Sequence, residues 1–381
     1  MSFGKVRIRR VTSPADRKTF VKVPWNIYKD DPRWVPPLIL DRLESIDEKK
    51  NPFFEHGKAA YFIAEQDGIA VGRVSAHRNY LHNEYHQDRT GFSGFFESTK
   101  DPRVSRALLE TAEGWLRAEG CDQVLGPQNF STNQEETGLL VEDRVGPPMI
   151  MCSYNPPYYK DLWEEAGYEK AKDLLGWHYE VGKIPEAPQQ IADAVERHPG
   201  LTIRPMDRKN LRQEAKIVGE IFNEAWAKNW GYVPWTENEV DHAAKMMKLI
   251  LIPEFTAMAE VDGKPAGMML ILPNILEVLG DLNGRLLPTG IFKLVRRLLL
   301  KGHKFQSVRL VFLGIKPEFR GSALGGLSVL LYVLAHRKAI KYGVKVGELG
   351  WTLEDNEKIN TGIQFMGGTV GKVYRVYGKA L

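Results

Sequence analysis

The chain has 381 residues, 43% of them hydrophobic and 26% charged, which is typical of a globular protein with two or three domains. These values exclude a disordered chain and a mini-protein held together by disulfides. The 52 basic and 48 acidic residues give a net charge of +4. Six basic and no acidic residues lie within 285–304, which leaves the rest of the chain close to neutral. A general nucleic-acid binder, with basic charge spread over a face or a tail, is therefore disfavoured.

The N-terminal residues 5–10 alternate apolar and basic side chains, which predicts a first β-strand rather than a targeting leader. The longest apolar stretch, 327–335, is far shorter than the ~20 residues that cross a bilayer. We therefore expect a cytoplasmic protein. His82 and His86 lack the further ligands of a known metal motif, so we expect no metal.

An internal repeat relates the two halves of the chain at an offset of 195 residues. The stretch AEQDG at 64–68 matches AEVDG at 259–263, and both predict a β-hairpin with its turn at the glycine. The same offset relates the strand end at 8–9 to the one at 203–204. The repeat predicts two domains of the same kind.

We expect these domains at 1–183 and 199–381, joined by a proline-containing link. Strands, helices and a hairpin follow one another in the same order in both, which indicates an α/β (α+β) unit around one mixed sheet. The second copy has an insertion at about 273–305, and the basic segment 285–304 lies inside it.

The most informative stretch is a strand at 308–315 that runs into a glycine-rich turn and then an apolar helix. Backbone N–H groups and the positive helix end converge at such a turn, which predicts an anion site to which Arg320 adds charge. The turn fits neither G-x-x-x-x-G-K-[ST] nor G-x-G-x-x-G, which excludes the ATPase and dinucleotide interpretations.

At this point the second copy resembles the GCN5-related N-acetyltransferase (GNAT) superfamily, whose signature is [RQ]-x-x-G-x-[GA] after a strand. Arg320, Ala323 and Gly325 stand at its positions, with Ala323 in place of the usual glycine. Through the repeat the resemblance extends to the first copy, and it implies two tandem GNAT-like domains, each a mixed β-sheet flanked by helices. It also implies that the second domain binds acyl-CoA as co-substrate. The residues implied for this role are Leu313, Gly314, Ile315, Arg320, Gly321, Ser322, Ala323, Leu324, Gly325, Gly326 and Asn356.

The first copy has no glycine in the corresponding stretch 98–106. We therefore expect the first domain to shape the substrate rather than to bind acyl-CoA.

GNAT chemistry is the attack of an amine on a thioester, which needs a base and an acid. The tyrosine that many members place seven residues after the helix-opening asparagine would fall at Ile363, so another group must serve. Glu348 is the candidate base, and Tyr374 and Tyr377 are the candidate acids. A structural role stays open for each of the three.

A more local resemblance concerns GPQNFSTNQE at 126–135 and YNPPYY at 154–159. These stretches are similar to a bacterial tandem GNAT-like group that includes the bacterial ceramide synthases. The resemblance implies N-acylation of a long-chain sphingoid base, such as 3-ketosphinganine, from a fatty acyl-CoA. A well-capped surface loop is the alternative. The candidate substrate-binding residues are Asn129, Asn133, Glu135 and Trp351.

The insertion contains a basic amphipathic helix, with Ile291, Val295 and Leu298 on one face and Arg296 and Arg297 on the other. Such a helix can lie on a membrane surface, cover an acyl tunnel or pack on its own domain. We expect peripheral contact with the inner face of the cell membrane through the segment 285–304.

Other functions stay open at the level of the sequence. They are N-acetylation of a small amine, tRNA-dependent aminoacyl transfer, and a non-catalytic acyl-CoA or lipid sensor. The sensor is suggested by the missing tyrosine at Ile363.

Overall fold

The computed structural model describes residues 4–132, 136–300, 302–321 and 324–381. By its internal packing the chain divides into two compact units. Each unit is built on a mixed β-sheet flanked by helices, which confirms the predicted fold class. Unit 1 consists of Met1–Leu174, Val278–Lys301 and Val373–Leu381, and unit 2 of Leu175–Glu277 and Gly302–Lys372.

The strands are β1 (Arg7–Arg10), β2 (Gly57–Gln66), β3 (Ile69–Asn79), β4 (Thr90–Ser98), β5 (Gln123–Gly126), β6 (Leu139–Asp143), β7 (Glu169–Glu180), β8 (Leu201–Arg204), β9 (Thr256–Val261), β10 (Lys264–Pro273), β11 (Ser307–Ile315), β12 (Val346–Leu353) and β13 (Thr369–Ala380). The α-helices are α1 (Pro14–Ile27), α2 (Ile39–Ser45), α3 (Tyr80–His86), α4 (Pro102–Ala118), α5 (Tyr159–Glu165), α6 (Glu186–Glu196), α7 (Leu211–Trp226), α8 (Glu237–Ile250), α9 (Leu276–Leu279), α10 (Gly290–Val295), α11 (Leu327–Lys341) and α12 (Glu357–Phe365).

The sheet of unit 1 has the strand order β1-β2-β3-β4-β5-β13, and β6 also pairs with β13. β4 and β5 run parallel, whereas the other registered pairs are antiparallel. In its core, α4 and α5 pack on the sheet, and Leu108, Leu109 and Trp163 are among the buried side chains.

Unit 2 has the order β8-β9-β10-β11-β12-β7, with a parallel pair formed by β11 and β12. The antiparallel pairs are β8 with β9, β9 with β10 and β10 with β11. Its core lies between the sheet and the helices α6 and α11, where Leu310, Leu327 and Val195 meet.

The two predicted hairpins are confirmed, and they match in register. Ala64 pairs with Gly72 in the first, as Ala259 pairs with Gly267 in the second. Both turns are Asp-Gly with positive φ at both residues, which is the type I′ geometry that suits the twist of the strands. The sequence repeat is thus a structural repeat.

The last strand of each copy is divided between the compact units. β7 begins in unit 1 and ends in unit 2, whereas β13 begins in unit 2 and ends in unit 1. Much of the insertion, Val278–Lys301, belongs to unit 1. The domain limits 1–183 and 199–381 follow the repeat and stay a prediction. Within the described residues, no helix has the length and apolar character needed to cross a bilayer.

Candidate functional site

The parallel strands β11 and β12 separate halfway along their length. Their ladder runs from Ser307↔Val346 to Leu310↔Leu349, and no later pair joins them within the described residues. β10 continues to pair with β11 as far as Ile315. Backbone groups point alternately to the two edges of a strand, so those of 311–315 on the β12 side face a gap. This gap can accept the amide groups of an extended ligand.

A β-bulge marks the point of separation. Leu270 pairs with Phe312 and Ile271 with Leu310, so Val311 is the extra residue on β11. On β12, Gly350 has φ +77°, and its carbonyl accepts a hydrogen bond from Nε of Arg309 at 2.9 Å. Both strands are therefore irregular where they separate, and a β-bulge commonly bends its strand.

The bulge also changes which side chains face each side of the sheet. Before it, Leu310 points into the core with α11, whereas Phe312 beyond it packs against Phe222 of α7. We call Phe222, Trp226, Trp235 and Phe312 the aromatic cluster; its rings lie 4.9–6.2 Å apart where they contact. Gly314 is tied to this cluster, because a Cβ there would lie 2.3 Å from a ring carbon of Trp226. The face of the sheet next to the gap thus carries a cluster of packed aromatic rings.

The turn after β11 is held by Arg320. Its Nε donates to the carbonyl of Ile315 and its Nη2 to that of Ala225, each at 2.8 Å, so it joins the ends of β11 and α7. Burial lowers the pKa of this guanidinium. Among the described residues, no atom lies within 4 Å of a Cβ built at Gly321.

The rest of the predicted anion turn leads into α11. Leu324 is buried in the core, and a Cβ at Gly326 would lie 2.6 Å from Cγ2 of Ile191, so Gly326 allows α11 to pack closely on α6. Gly325 lies between them, at the positive N-terminal end of α11. Ser322 and Ala323 lie outside the described residues.

Glu348 lies on β12 two residues before Gly350, where the gap begins. It pairs in register with Arg309, and its Oε2 accepts a hydrogen bond from Nζ of Lys372 at 3.1 Å. Both side chains of this ion pair are buried, with exposures of 6% and 4%. Leu349 faces the core with α11, so alternation places Glu348 on the other face, the one that carries the aromatic cluster. A carboxylate at this position can accept a proton from an amine at the gap.

The other two predicted catalytic residues lie in unit 1, whereas Glu348 lies in unit 2. Tyr377 stacks on Trp163 with ring centroids 5.8 Å apart, and its hydroxyl donates to Glu164 at 3.1 Å. Burial is the main cause that raises the pKa of Tyr377. Tyr374 is buried and contacts Gly138. Their roles as acids stay predictions.

Unit 1 contains the equivalent gap, and its own chain fills it. The β4–β5 ladder ends at Phe92↔Leu125 within the described strands, and the segment 127–131 follows β5 directly. The backbone N–H of Gln128 donates to the carbonyl of Ser93 at 2.8 Å. Asn129 accepts the N–H of Phe95 on its Oδ1 at 2.7 Å. The backbone groups that would hold a ligand are thus used internally.

The remaining predicted site residues have local roles or fall outside the description. Asn129 also donates to Glu136 at 3.1 Å. Asn356 caps α12, its Oδ1 accepting from the N–H of Ile359 at 3.4 Å, and Trp351 is half-buried on β12 just after Gly350. Asn133 and Glu135 lie outside the described residues. No group of three or more His, Cys, Asp and Glu side chains that could hold a metal occurs in the part of the chain that is described.

Two features of this site escaped the sequence analysis. Lys372, the partner of Glu348, is one of three basic residues on β13, and an ion pair with a residue 24 positions earlier on another strand leaves no local signal in the sequence. The aromatic cluster could have been suspected from the density of tryptophan and tyrosine in the stretch 226–235.

Comparisons with known proteins give relatives over nearly the whole chain, although no family model matches it. A bacterial ceramide synthase from Caulobacter vibrioides (strain NA1000 / CB15N) is 38% identical over 376 residues, which cover 97% of this chain and 96% of that protein. Protein YghO from Escherichia coli (strain K12) is 34% identical over 377 residues, with 98% and 95% covered.

Two solved structures share the fold over nearly the whole chain. A tandem GNAT protein from the clavulanic acid biosynthesis pathway has a TM-score of 0.60 at 13% identity, with 99% of this chain and 98% of that chain covered. A GCN5-related N-acetyltransferase from Sphaerobacter thermophilus has a TM-score of 0.54 at 14% identity, with 98% and 95% covered. The resemblance seen in the sequence is confirmed: the chain has the tandem GNAT fold and belongs to the bacterial ceramide synthase family.

Proposed function

We propose that this enzyme transfers a fatty acyl group from acyl-CoA to the amino group of a long-chain sphingoid base such as 3-ketosphinganine. The observation that carries the proposal is the gap between β11 and β12, with Glu348 beside it and the aromatic cluster on the same face. The 38% identity to a protein named bacterial ceramide synthase supports a lipid acceptor over a small amine.

Unit 2 has the features that an acyl-CoA needs. The backbone of 311–315 would hold the amide-containing arm, and the turn 320–326 at the start of α11 would hold the diphosphate. Gly321 supports this assignment, because no described atom lies within 4 Å of its Cβ position. Bound in this way, acyl-CoA supplies an acyl group activated as a thioester.

Glu348 would act as the base. As the C–N bond forms and the C–S bond breaks, the amine loses a proton, and the Glu348 carboxylate is placed to accept it. Lys372 fixes the orientation of that carboxylate through its 3.1 Å contact. The departing thiolate needs a proton, for which Tyr374 and Tyr377 remain the candidates.

The acceptor would lie against the aromatic cluster, because stacked rings offer an apolar wall to a long alkyl chain. Asn129, Asn133, Glu135 and Trp351 remain candidates for the polar end of the substrate. A lipid acceptor also suits the proposed contact of 285–304 with the inner face of the cell membrane.

The test is a thiol-release assay with acetyl-, octanoyl- and palmitoyl-CoA, each combined with 3-ketosphinganine, sphinganine or a small polyamine. We expect release, and an N-acyl product by mass spectrometry, with the long-chain bases and the longer acyl-CoAs. Release with acetyl-CoA and the polyamine alone would favour the small-amine enzyme. Binding of acyl-CoA without turnover of any amine would favour the sensor.

A pair of variants tests the base. Glu348→Gln removes the proton acceptor but leaves the Lys372 charge buried, which destabilises proteins in its own right. The double variant Glu348→Gln/Lys372→Met removes both charges, and we expect it to fold with turnover reduced about 100-fold or more, the usual contribution of a general base. A folded double variant with full turnover would exclude Glu348 as the base.

A further inference from the structure

The amphipathic segment 287–298 presents its apolar face to solvent. Phe292 is 73% exposed, Leu287 67% and Val295 42%, and Ile291 and Leu298 each expose more than a third of their surface. Scattered exposed apolar side chains are ordinary, but five of them within twelve residues indicate an interaction site.

The basic side chains of this segment anchor it to unit 1. Arg297 donates to both carboxylate oxygens of Asp281 at 2.6 Å and to the carbonyl of Val278 at 2.7 Å. Lys293 lies 3.5 Å from the same carboxylate. The basic side is thus partly turned inward, which leaves the apolar side outward.

A tight loop positions the segment on α1. Asn283 accepts the indole N–H of Trp25 at 2.6 Å, and the carbonyl of Gly284 accepts the N–H of Ile39 at 3.0 Å. Gly284 has φ +73°, and a Cβ there would lie 2.6 Å from the ring of Trp25. The segment is therefore held in place by specific contacts.

A cavity of 350 Å³ opens beside this loop. Lys22 and Arg285 bring positive charge to it, Asn26 and Asn283 add amide groups, and Trp25 supplies an aromatic wall. Its described lining includes no acidic residue, and neither Lys22 nor Arg285 has a carboxylate partner among the described residues. Two unpaired cations beside amide donors suit a phosphate ester.

We propose that the apolar face of 287–298 inserts into an anionic bilayer while the Lys22–Arg285 cavity binds the phosphate of one acidic phospholipid. The combination of charge and apolar surface favours a membrane as the partner. Exposed aromatic and aliphatic side chains flanked by cations suit the interface of an anionic bilayer. A nucleic acid would contact an apolar surface here, which does not suit its phosphates. The inference deepens the membrane contact proposed above and does not depend on the identity of the amine.

The test is flotation of the full chain with vesicles of phosphatidylcholine alone or with 30% phosphatidylglycerol, without substrates. Three variants are compared with the wild type: Phe292→Ser/Val295→Ser for insertion, Lys22→Gln/Arg285→Gln for the cavity, and Lys49→Gln/Lys100→Gln as a control. The control removes the same charge from exposed lysines that do not line the cavity.

We expect binding to the anionic vesicles only, its loss in the Phe292/Val295 variant, and roughly 30-fold weaker binding in the Lys22/Arg285 variant. The control should stay within about threefold of the wild type. Equal weakening in the control, binding to both kinds of vesicle alike, or displacement by RNA would overturn the proposal. Octanoyl-CoA turnover with a detergent-solubilised base should be retained in all variants, so a failure of the acyltransferase proposal is seen separately.

Discussion

Gly314 has no side chain, and the ring of Trp226 occupies the space that a Cβ would take. A substitution at Gly314 therefore tests the packing beside the gap between β11 and β12. The missing Cβ of Gly314 would lie 2.3 Å from the ring of Trp226, so Gly314→Ala must displace that ring. We expect the variant to lose 1–3 kcal/mol of unfolding free energy, an amount typical of overpacking, and to bind octanoyl-CoA more weakly. Gly182→Ala, also in unit 2 and outside the proposed acyl-CoA site, is the control, because no described atom lies within 4 Å of its Cβ position. Urea denaturation and calorimetry would measure both effects, and equal behaviour of the two variants would contradict the prediction.

His77 makes the stability of unit 1 depend on pH. Burial lowers its pKa to about 3, and its Nε2 contacts the carbonyl of Phe130 at 3.1 Å. Since the unfolded histidine titrates near 6.5, the unfolded chain binds a proton below that pH while the folded chain does not. The stabilisation from neutral His77 is therefore complete above pH 6.5 and falls as the pH drops toward 3.

Between pH 7 and pH 5 this effect should lower the unfolding free energy by about 2 kcal/mol. His77→Gln keeps a donor for Phe130 and does not titrate, so its stability should fall by that much less over the same interval. Urea denaturation of both proteins at the two pH values gives the comparison. An identical loss in wild type and variant would show that His77 does not titrate in this way.

At the residue scale, the sequence indicated Glu348 but not its ion pair. The strand pattern of the sequence predicts that Glu348 lies beside the expected thioester, so this candidate could be found from the sequence. Lys372 lies 24 positions away on another strand, and only the pairing of the sheet brings its Nζ to the carboxylate. The contact between Gly314 and Trp226 is equally non-local.

At the scale of elements, the two gaps differ in what fills them. In unit 1, Gln128 hydrogen-bonds to the backbone carbonyl of Ser93, and Asn129 to the backbone N–H of Phe95. The corresponding edge of β11 pairs with no strand beyond Leu310 within the described residues. We therefore expect one octanoyl-CoA per chain in a calorimetric titration. Arg320→Glu should abolish binding altogether rather than halve it, because its side chain joins the ends of β11 and α7 in the open unit. Two equivalents per chain would contradict this prediction.

The hairpins and the first helix were accessible from the sequence because local chemistry specifies them. Asp-Gly turns select the hairpin geometry, and Ser13 with Asp16 forms a complete capping box at the start of α1. The bulge at Val311 carries no such local signal, because it depends on how β10 and β11 register. The hydrogen bonds from Gln128 and Asn129 to β4 carry no local signal either, because they join residues more than 30 positions apart in the sequence.

At the scale of the whole molecule, the last strand of each copy contributes residues to both compact units. Unit 2 includes the end of β7, where Trp177 is fully buried and donates to Thr352 at 2.8 Å. A fragment that starts after β7 lacks this side chain, and loss of a buried tryptophan costs about 3–5 kcal/mol, a large share of the stability of a typical domain. The sequence repeat alone suggests cutting the chain between the copies, which would remove this strand from unit 2.

We therefore expect the fragment 184–381 to be unfolded and unable to bind octanoyl-CoA, as near-ultraviolet circular dichroism and calorimetry would show. Co-expression with the fragment 1–183 should restore binding, because it returns the missing end of β7 to unit 2. The fragment 175–381 is the matched comparison: it differs by nine residues, keeps Trp177, and should be the more stable of the two. If 184–381 folded alone and bound octanoyl-CoA as tightly as the full chain, the last strands would be dispensable and each copy of the repeat would be an independent domain.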